Sequence, residues 1–256
     1  MSEHVRIERG GAVLAITLAR PERRNAITFD MYAALADALE GAAADSSIRV
    51  ITLRGEGQDF AAGNDLADFM NALPRDTSGI PVWRLLRALA EGDTPLVAAV
   101  HGNCVGIGTT MLIHCDLVIA EEGARFSLPF VDLGLVPEAA SSLLLPRLAG
   151  RRRAARYLLL GELFGVEEAL SIGLVSHVAA PGSLDAKLSD VVAALLGKPP
   201  EALRQTQRLL RGGVREEILD RMQVESGLFA ERLASPEVKE AIAAFFEKRQ
   251  PDFSRF

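Results

Sequence analysis

The segment Phe130-Val131-Asp132-Leu133-Gly134-Leu135-Val136-Pro137-Glu138-Ala139-Ala140-Ser141-Ser142 places an acid, Glu138, between a proline and a run of small residues. Those small residues open an apolar helical pattern that continues through Leu143, Leu144, Leu145 and Leu148. A carboxylate there suits two roles. One is a negative charge at a helix N-terminus, worth roughly 0.3–1 kcal/mol. The other is a base whose pKa is raised by apolar surroundings. Two further segments offer backbone rather than side chains. In Asp59-Phe60-Ala61-Ala62-Gly63-Asn64-Asp65-Leu66, small residues and glycine let the main chain approach a ligand closely. Asp65 leads into a helix whose free N–H groups point back at that space, or simply caps a tight strand-to-helix turn. In His101-Gly102-Asn103-Cys104-Val105-Gly106-Ile107-Gly108, two glycines flank Ile107 at a helix start, exposing amides at the positive end of the helix dipole. The spacing G-x-G-x-x-G fails after Gly108, so this is not a dinucleotide fingerprint.

The elements that must position these segments read as a wound α/β pattern. Val5 to Leu18 alternates about Gly10-Gly11, predicting a hairpin. Thr28 caps a helix carrying Phe29, Tyr32, Leu35 and Leu39 on one face. A strand follows at Arg49–Arg54, then a short helix with Leu66 and Met70, and another with Trp83, Leu86 and Leu89. Thr94 to Val100 is apolar almost throughout, as for a strand covered on both faces. Thr109 to Cys115 reads as an apolar helix, and Asp116–Ala120 and Arg125–Leu128 as strands. From Asp185 onward only helical patterns remain: 185–196, 200–210, 214–233 and 236–248. Ser235 before Pro236 is a cap followed by proline at the first helical position. The chain therefore divides into an α/β core, 1–195, and a C-terminal helical region, 196–256.

Composition excludes several function classes. In 256 residues, 28 basic and 34 acidic side chains give a net charge of −6, against broad contact with a nucleic-acid backbone. Hydrophobic residues at 49% and charged residues at 24% are ordinary for a globular protein. Cys104 and Cys115 lack metal-ligand spacing and read as buried thiols. The polar start Met1-Ser2-Glu3-His4 lacks a signal-peptide core, and His101, Asn103, His114 and Asp116 interrupt the longest apolar region. A cytoplasmic protein with neither membrane nor nucleic-acid partner is expected.

Taken in order, the motifs resemble the enoyl-CoA hydratase/isomerase (crotonase) superfamily. The resemblance runs from Arg20-Pro21-Glu22-Arg23-Arg24-Asn25-Ala26 through Phe60–Leu66, Ala99-Val100-His101-Gly102, Gly106-Ile107-Gly108 and Cys115-Asp116 to Phe246-Glu247-Lys248-Arg249. It implies a spiral of ββα units with a C-terminal helical trimerisation region, assembled as a homotrimer or a dimer of trimers. It also implies an acyl-CoA substrate, with coenzyme A entering as part of the thioester and no further cofactor or metal. The resemblance puts two backbone donors for the thioester oxygen on Asn64 and Ile107. It puts the coenzyme A contacts at Arg24, Asn25, Ala26, Ala62, Gly63, Asp65, Leu66, Gly106 and Lys248. Some members carry a phosphate-binding lysine where Ala67 stands, and Arg23, Arg24 or Arg75 is a possible substitute.

The same resemblance separates two chemistries. Hydratases of the superfamily hold water between two glutamates, and those positions are Thr110 and Phe130 here. Glu138 instead matches the single glutamate of one branch of the Δ3,Δ2-enoyl-CoA isomerases, an activity of fatty-acid degradation. A dehalogenase branch places its aspartate near the same position. The leading expectation is therefore a double-bond isomerase. An atypical hydratase, another thioester chemistry at the same site, and a non-catalytic acyl-CoA binder are the alternatives. Asp132 reads as a loop carboxylate, His101, His114 and His177 as structural histidines, and Glu225 as either a subunit contact or a functional group.

Overall fold

A computed structural model describes residues 2–71 and 81–256. Arg75, a candidate phosphate contact, and the Met70 side chain lie outside the described residues. The hairpin forms from β1 (Val5–Gly10) and β2 (Val13–Leu18), antiparallel about Gly10-Gly11. β2 then pairs in parallel with β3 (Val50–Gly55), β3 with β4 (Leu96–Val100), β4 with β6 (Leu117–Glu121) and β6 with β9 (His177–Ala179). A second sheet has the order β5 (Asn103–Val105), β7 (Arg125–Ser127), β8 (Phe164–Gly165).

Parallel pairing needs crossovers, and helices supply them. α1 (Phe29–Ala44) and α3 (Pro81–Glu91) return the chain across one face of the large sheet. Thr28 caps α1 by accepting the Met31 N–H. On the opposite face α8 (Leu184–Leu196) covers Val50, Val97, Ala99 and Ile119. Every residue of β4 is buried, as its unbroken apolar run requires. The remaining helices are α2 (Leu66–Asn71), α4 (Ile107–Leu112), α5 (Ser141–Ala149), α6 (Arg151–Leu159), α7 (Val166–Ser171), α9 (Pro200–Gly212), α10 (Arg215–Leu233) and α11 (Pro236–Glu247).

Two differences from the sequence reading stand out. The segment Asn103–Val105, to which the sequence pattern assigns no element, is strand β5, paired with β7. The stretch holding α6, β8, α7 and β9 was not resolved into elements by pattern. α6 carries three consecutive arginines and buries only Ala154, Tyr157 and Leu158, so its apolar stripe is narrow. Among the described residues no helix is long and apolar enough to cross a membrane.

The helical region is locked to the core by Arg211 on α9. Its guanidinium donates to the carbonyl oxygens of Leu89, Gly92 and His114 and pairs with the Asp116 carboxylate at 2.9 Å. Asp116 also accepts from Gln207 and from the Leu96 N–H at the start of β4. Removing the guanidinium leaves three carbonyls and a half-buried carboxylate short of donors. Arg211→Ala is expected to destabilise the fold by about 3 kcal/mol, read as a lowered midpoint in denaturant unfolding.

Candidate active site

The loop before α2 and the loop before α4 run side by side. Ala61 and Cys104 form a parallel bridge, with Val105 N–H donating to Ala61 O at 2.9 Å and Ala61 N–H to Asn103 O at 3.2 Å. Asn64 and Ile107 each stand three residues beyond that bridge. A second bridge, Ile27 to Asn64, uses Gly63 O and the Asp65 N–H, which leaves the Asn64 N–H outside the pairing. Ile107 is the first residue of α4 and its N–H has no partner one turn back. Neither amide donates to a described residue.

The ladder is braced from below. Asp59 Oδ1 accepts from the Asn103 N–H and side-chain amide at 2.7 and 2.6 Å. Asn25, fully buried, donates to Glu56 O and Asp59 O and accepts from the Arg20 N–H. The approach is close enough that a Cβ on Gly102, at φ +58°, would fall 2.0 Å from Gln58 O. Gly63, at φ +90°, would bring one to 3.2 Å from Val105 O. The glycines thus set the distance between the two loops.

Both loops open onto a cavity of about 490 Å³. Ala26, Ala62, Gly63, Asn64, Asp65 and Leu66 line one side, and Val105, Gly106 and Ile107 another. Phe130 and Leu135 come from the loop that carries Glu138. Phe229 on α10 and Phe245 and Phe246 on α11 complete the wall.

Glu138 does not itself line the cavity. It is 7% exposed, and its Oε1 has no hydrogen-bond partner. Burial, and secondarily the charge of Glu225, push its pKa up to about 8. Tyr32 feels the charge of this carboxyl and is hydrogen-bonded to the cavity wall. Its hydroxyl donates to Asn64 Oδ1, and burial with the nearby Glu138 charge raises its own pKa. The turn after Glu138 is held tightly. Ala139 and Ala140 both have positive φ, 60° and 54°, which costs non-glycine residues of order 1–3 kcal/mol each. Glu138 O accepts from the Ser141 N–H and hydroxyl, and His114 Nε2 lies 2.8 Å from Ala139 O. Glu225 accepts from the Ala140 and Ser142 N–H groups at 2.6 and 3.0 Å.

The region thus holds a buried acid with an unpartnered oxygen, and two main-chain N–H groups that donate to none of the described residues. The sequence profile of the Enoyl-CoA hydratase/isomerase family matches residues 8–255. The chain belongs to that family. It is similar to the 2,3-dehydroadipyl-CoA hydratase of Escherichia coli K12, at 35% identity over 99% of both chains. It is likewise similar to the 1,2-epoxyphenylacetyl-CoA isomerase of that organism, at 34% identity over 97% of this chain and 96% of that protein. The crystal structure of an enoyl-CoA hydratase/isomerase from Pseudoalteromonas atlantica T6c superposes with a TM-score of 0.94. It shares 44% identity and covers 98% of this chain and all of that one. The crotonase fold expected from the motifs is the fold of this family member.

At the two positions where family hydratases carry glutamates, the structure has a buried Thr110 and a buried Phe130. Of the expected coenzyme A contacts, Ala26, Ala62, Gly63, Asp65, Leu66 and Gly106 line the cavity. The Asn25 side chain turns away from the cavity. It donates to Glu56 O and Asp59 O and accepts from the Arg20 N–H, so it shapes the cavity edge from inside the loop. Asp65 also caps α2, accepting from the Ala67 and Asp68 N–H groups, and pairs with Arg20 at 2.7 Å. Arg24 and Lys248 are absent from the wall, which carries Arg23. Lys248 instead ends α11 in the left-handed region at φ 55°.

Tyr32 and the three wall phenylalanines were not singled out from the sequence as site residues. Tyr32 sits on an ordinary apolar stripe, where the one available signal is that a buried tyrosine hydroxyl needs a partner. Phe245-Phe246 is an adjacent aromatic pair on a helix, so both cannot face the same core.

His114 carries a consequence for stability. Burial lowers its pKa to about 4, from an unperturbed value near 6.5. Between those values the unfolded chain binds a proton that the native state refuses, so stability falls as pH drops through this window. A difference of this size corresponds to roughly 3 kcal/mol. His114→Gln is expected to flatten the loss of denaturant stability between about pH 6.5 and pH 4.

Proposed function

We propose that the protein is a Δ3,Δ2-enoyl-CoA isomerase in which Glu138 is the single acid–base group. The observation that carries this reading is the buried Glu138 carboxyl with an unpartnered oxygen, in a site whose two hydratase positions hold threonine and phenylalanine. Addition of water needs one group to accept a proton and another to supply one. A double-bond shift needs one group used twice.

The 3-enoyl thioester oxygen accepts from the Asn64 and Ile107 N–H groups. The Glu138 carboxylate removes a proton from C2, and the C–H electron pair moves into a C2–C1 double bond as the oxygen becomes anionic. The resulting dienolate collapses to the C2–C3 double bond, and C4 takes the proton back from the carboxylic acid. Charge develops on the oxygen, so the fixed donors act most strongly there, and losing one such donor costs roughly 2.7–4 kcal/mol. A pKa of about 8 suits a base removing a proton from carbon, because the conjugate acid holds that proton until C4 is reached. The largely apolar wall of Phe130, Leu135, Ile107 and Phe229 limits exchange with water during the transfer.

The expected substrate is an acyl-CoA, and the family assembly, a homotrimer or dimer of trimers, is the oligomer we propose. With purified protein, 3-enoyl-CoA is expected to be converted to 2-enoyl-CoA, while 2-enoyl-CoA alone gives no 3-hydroxyacyl-CoA. Glu138→Gln is expected to reduce kcat by on the order of 10²–10⁴. In the wild type, kcat/KM should rise with pH to a plateau through a midpoint near 8, because only the ionised carboxylate is a base. Hydration of 2-enoyl-CoA without isomerisation, or an active folded Glu138→Gln variant, overturns the proposal.

A further inference from the structure

Glu225 lies 87 residues beyond Glu138, on α10, yet its carboxylate is 4% exposed and sits against the turn that presents Glu138. α5 has no side-chain cap of its own, because its N-cap residue is Ala140 in the left-handed region. Glu225 replaces that cap from a distance, one oxygen taking the Ala140 N–H and the other the Ser142 N–H. Two consecutive left-handed alanines do not hold such a turn by preference. A carboxylate bridging the amides on either side of Ser141 does hold it, with the helix dipole in its favour. Burying this charge is itself costly: burial raises the Glu225 pKa against the lowering effect of those hydrogen bonds and of Arg221. A serine or asparagine could satisfy the same amides without bringing a charge into the site.

We propose that Glu225 is a positioning residue for the acid–base reaction, holding the Glu138 turn in its left-handed form and setting a second negative charge against the Glu138 carboxyl. The proposal rests on Glu138 as the base and adds the element that tunes it. The titratable and charged groups around the Glu138 turn, among the described residues, are Tyr32 from α1, His114 just past α4, and Glu225 and Arg221 from α10. Tyr32 and His114 are uncharged near neutrality, because burial raises the first and lowers the second. Glu225 is therefore the like charge that acts on Glu138, and Arg221 acts on Glu225.

The test titrates Glu138 directly and separately from turnover. Protein carrying glutamate labelled with carbon-13 at the carboxyl is followed by NMR from pH 5 to pH 10, and the signal lost in Glu138→Gln assigns Glu138. In Glu225→Gln, which keeps one acceptor oxygen but no charge, the Glu138 midpoint is expected to move to lower pH than in the wild type. It should stay above the ordinary carboxylate range, because burial remains. The acid limb of kcat/KM should move with it. Glu225→Asp, which retains charge, is expected to keep the midpoint high, and Glu225→Ala to lose on the order of a hundredfold in kcat through displacement of the turn. An unchanged Glu138 midpoint in folded Glu225→Gln overturns the proposal, whatever the activity. If Glu138→Gln stays active while the midpoint moves, the proposed function fails and the electrostatic placement of Glu225 stands.

Discussion

A carboxyl group kept out of water without a hydrogen-bond partner is the constraint around which this molecule is arranged. Glu138 Oε1 is unpartnered inside the protein, and an ionised group in that position is unfavourable unless its proton affinity rises. Rise it does, to about 8. The cost is tolerated because the turn carrying the acid is held from three sides, by Ser141 within the loop, His114 beyond α4 and Glu225 on α10. None of these groups relieves the carboxyl itself. All of them grip the main chain around it.

The donors proposed for the other half of the site are backbone groups, which place no demand on side-chain type. The Asn64 and Ile107 N–H groups donate to none of the described residues, and their side chains serve elsewhere. Ile107 fills the cavity wall, and Asn64 Oδ1 receives the Tyr32 hydroxyl. What cannot vary is the spacing of the two loops. Gly102, Gly63, Asp59 and Asn25 set it through close main-chain approach and hydrogen bonds that never reach the ligand space. Backbone donors fixed in this way need no reorganisation when charge develops on a bound oxygen.

The C-terminal helices reach the cavity of their own chain. α9 is clamped to the core through Arg211, α10 delivers Glu225 and Phe229, and α11 brings Phe245 and Phe246 to the cavity. The apolar stripes of this region thus cover the site of their own chain. A change in the packing of α10 acts on both the wall of the cavity and the turn that aims the acid.

Much of this was legible in the linear chain. Alternation around Gly10-Gly11, the unbroken Leu96–Val100 run and the capped helical patterns marked most elements, because period-two and helical repeats follow from local geometry. The Pro-Glu-Ala-Ala-Ser-Ser run and the glycine pairs marked the reactive segments, because those residue types are needed wherever they occur. Local pattern could not reach the 151–179 stretch, whose apolar face is too narrow, nor assign Asn25 to the inside of its loop. Whether Glu138 was a helix-end charge or a buried base also stayed open in sequence, since both use the same letters. The raised pKa of Glu138 comes from burial and from the charge of Glu225, which lies 87 residues away. Burial and electrostatic coupling depend on distance in space, and only the folded chain sets that distance.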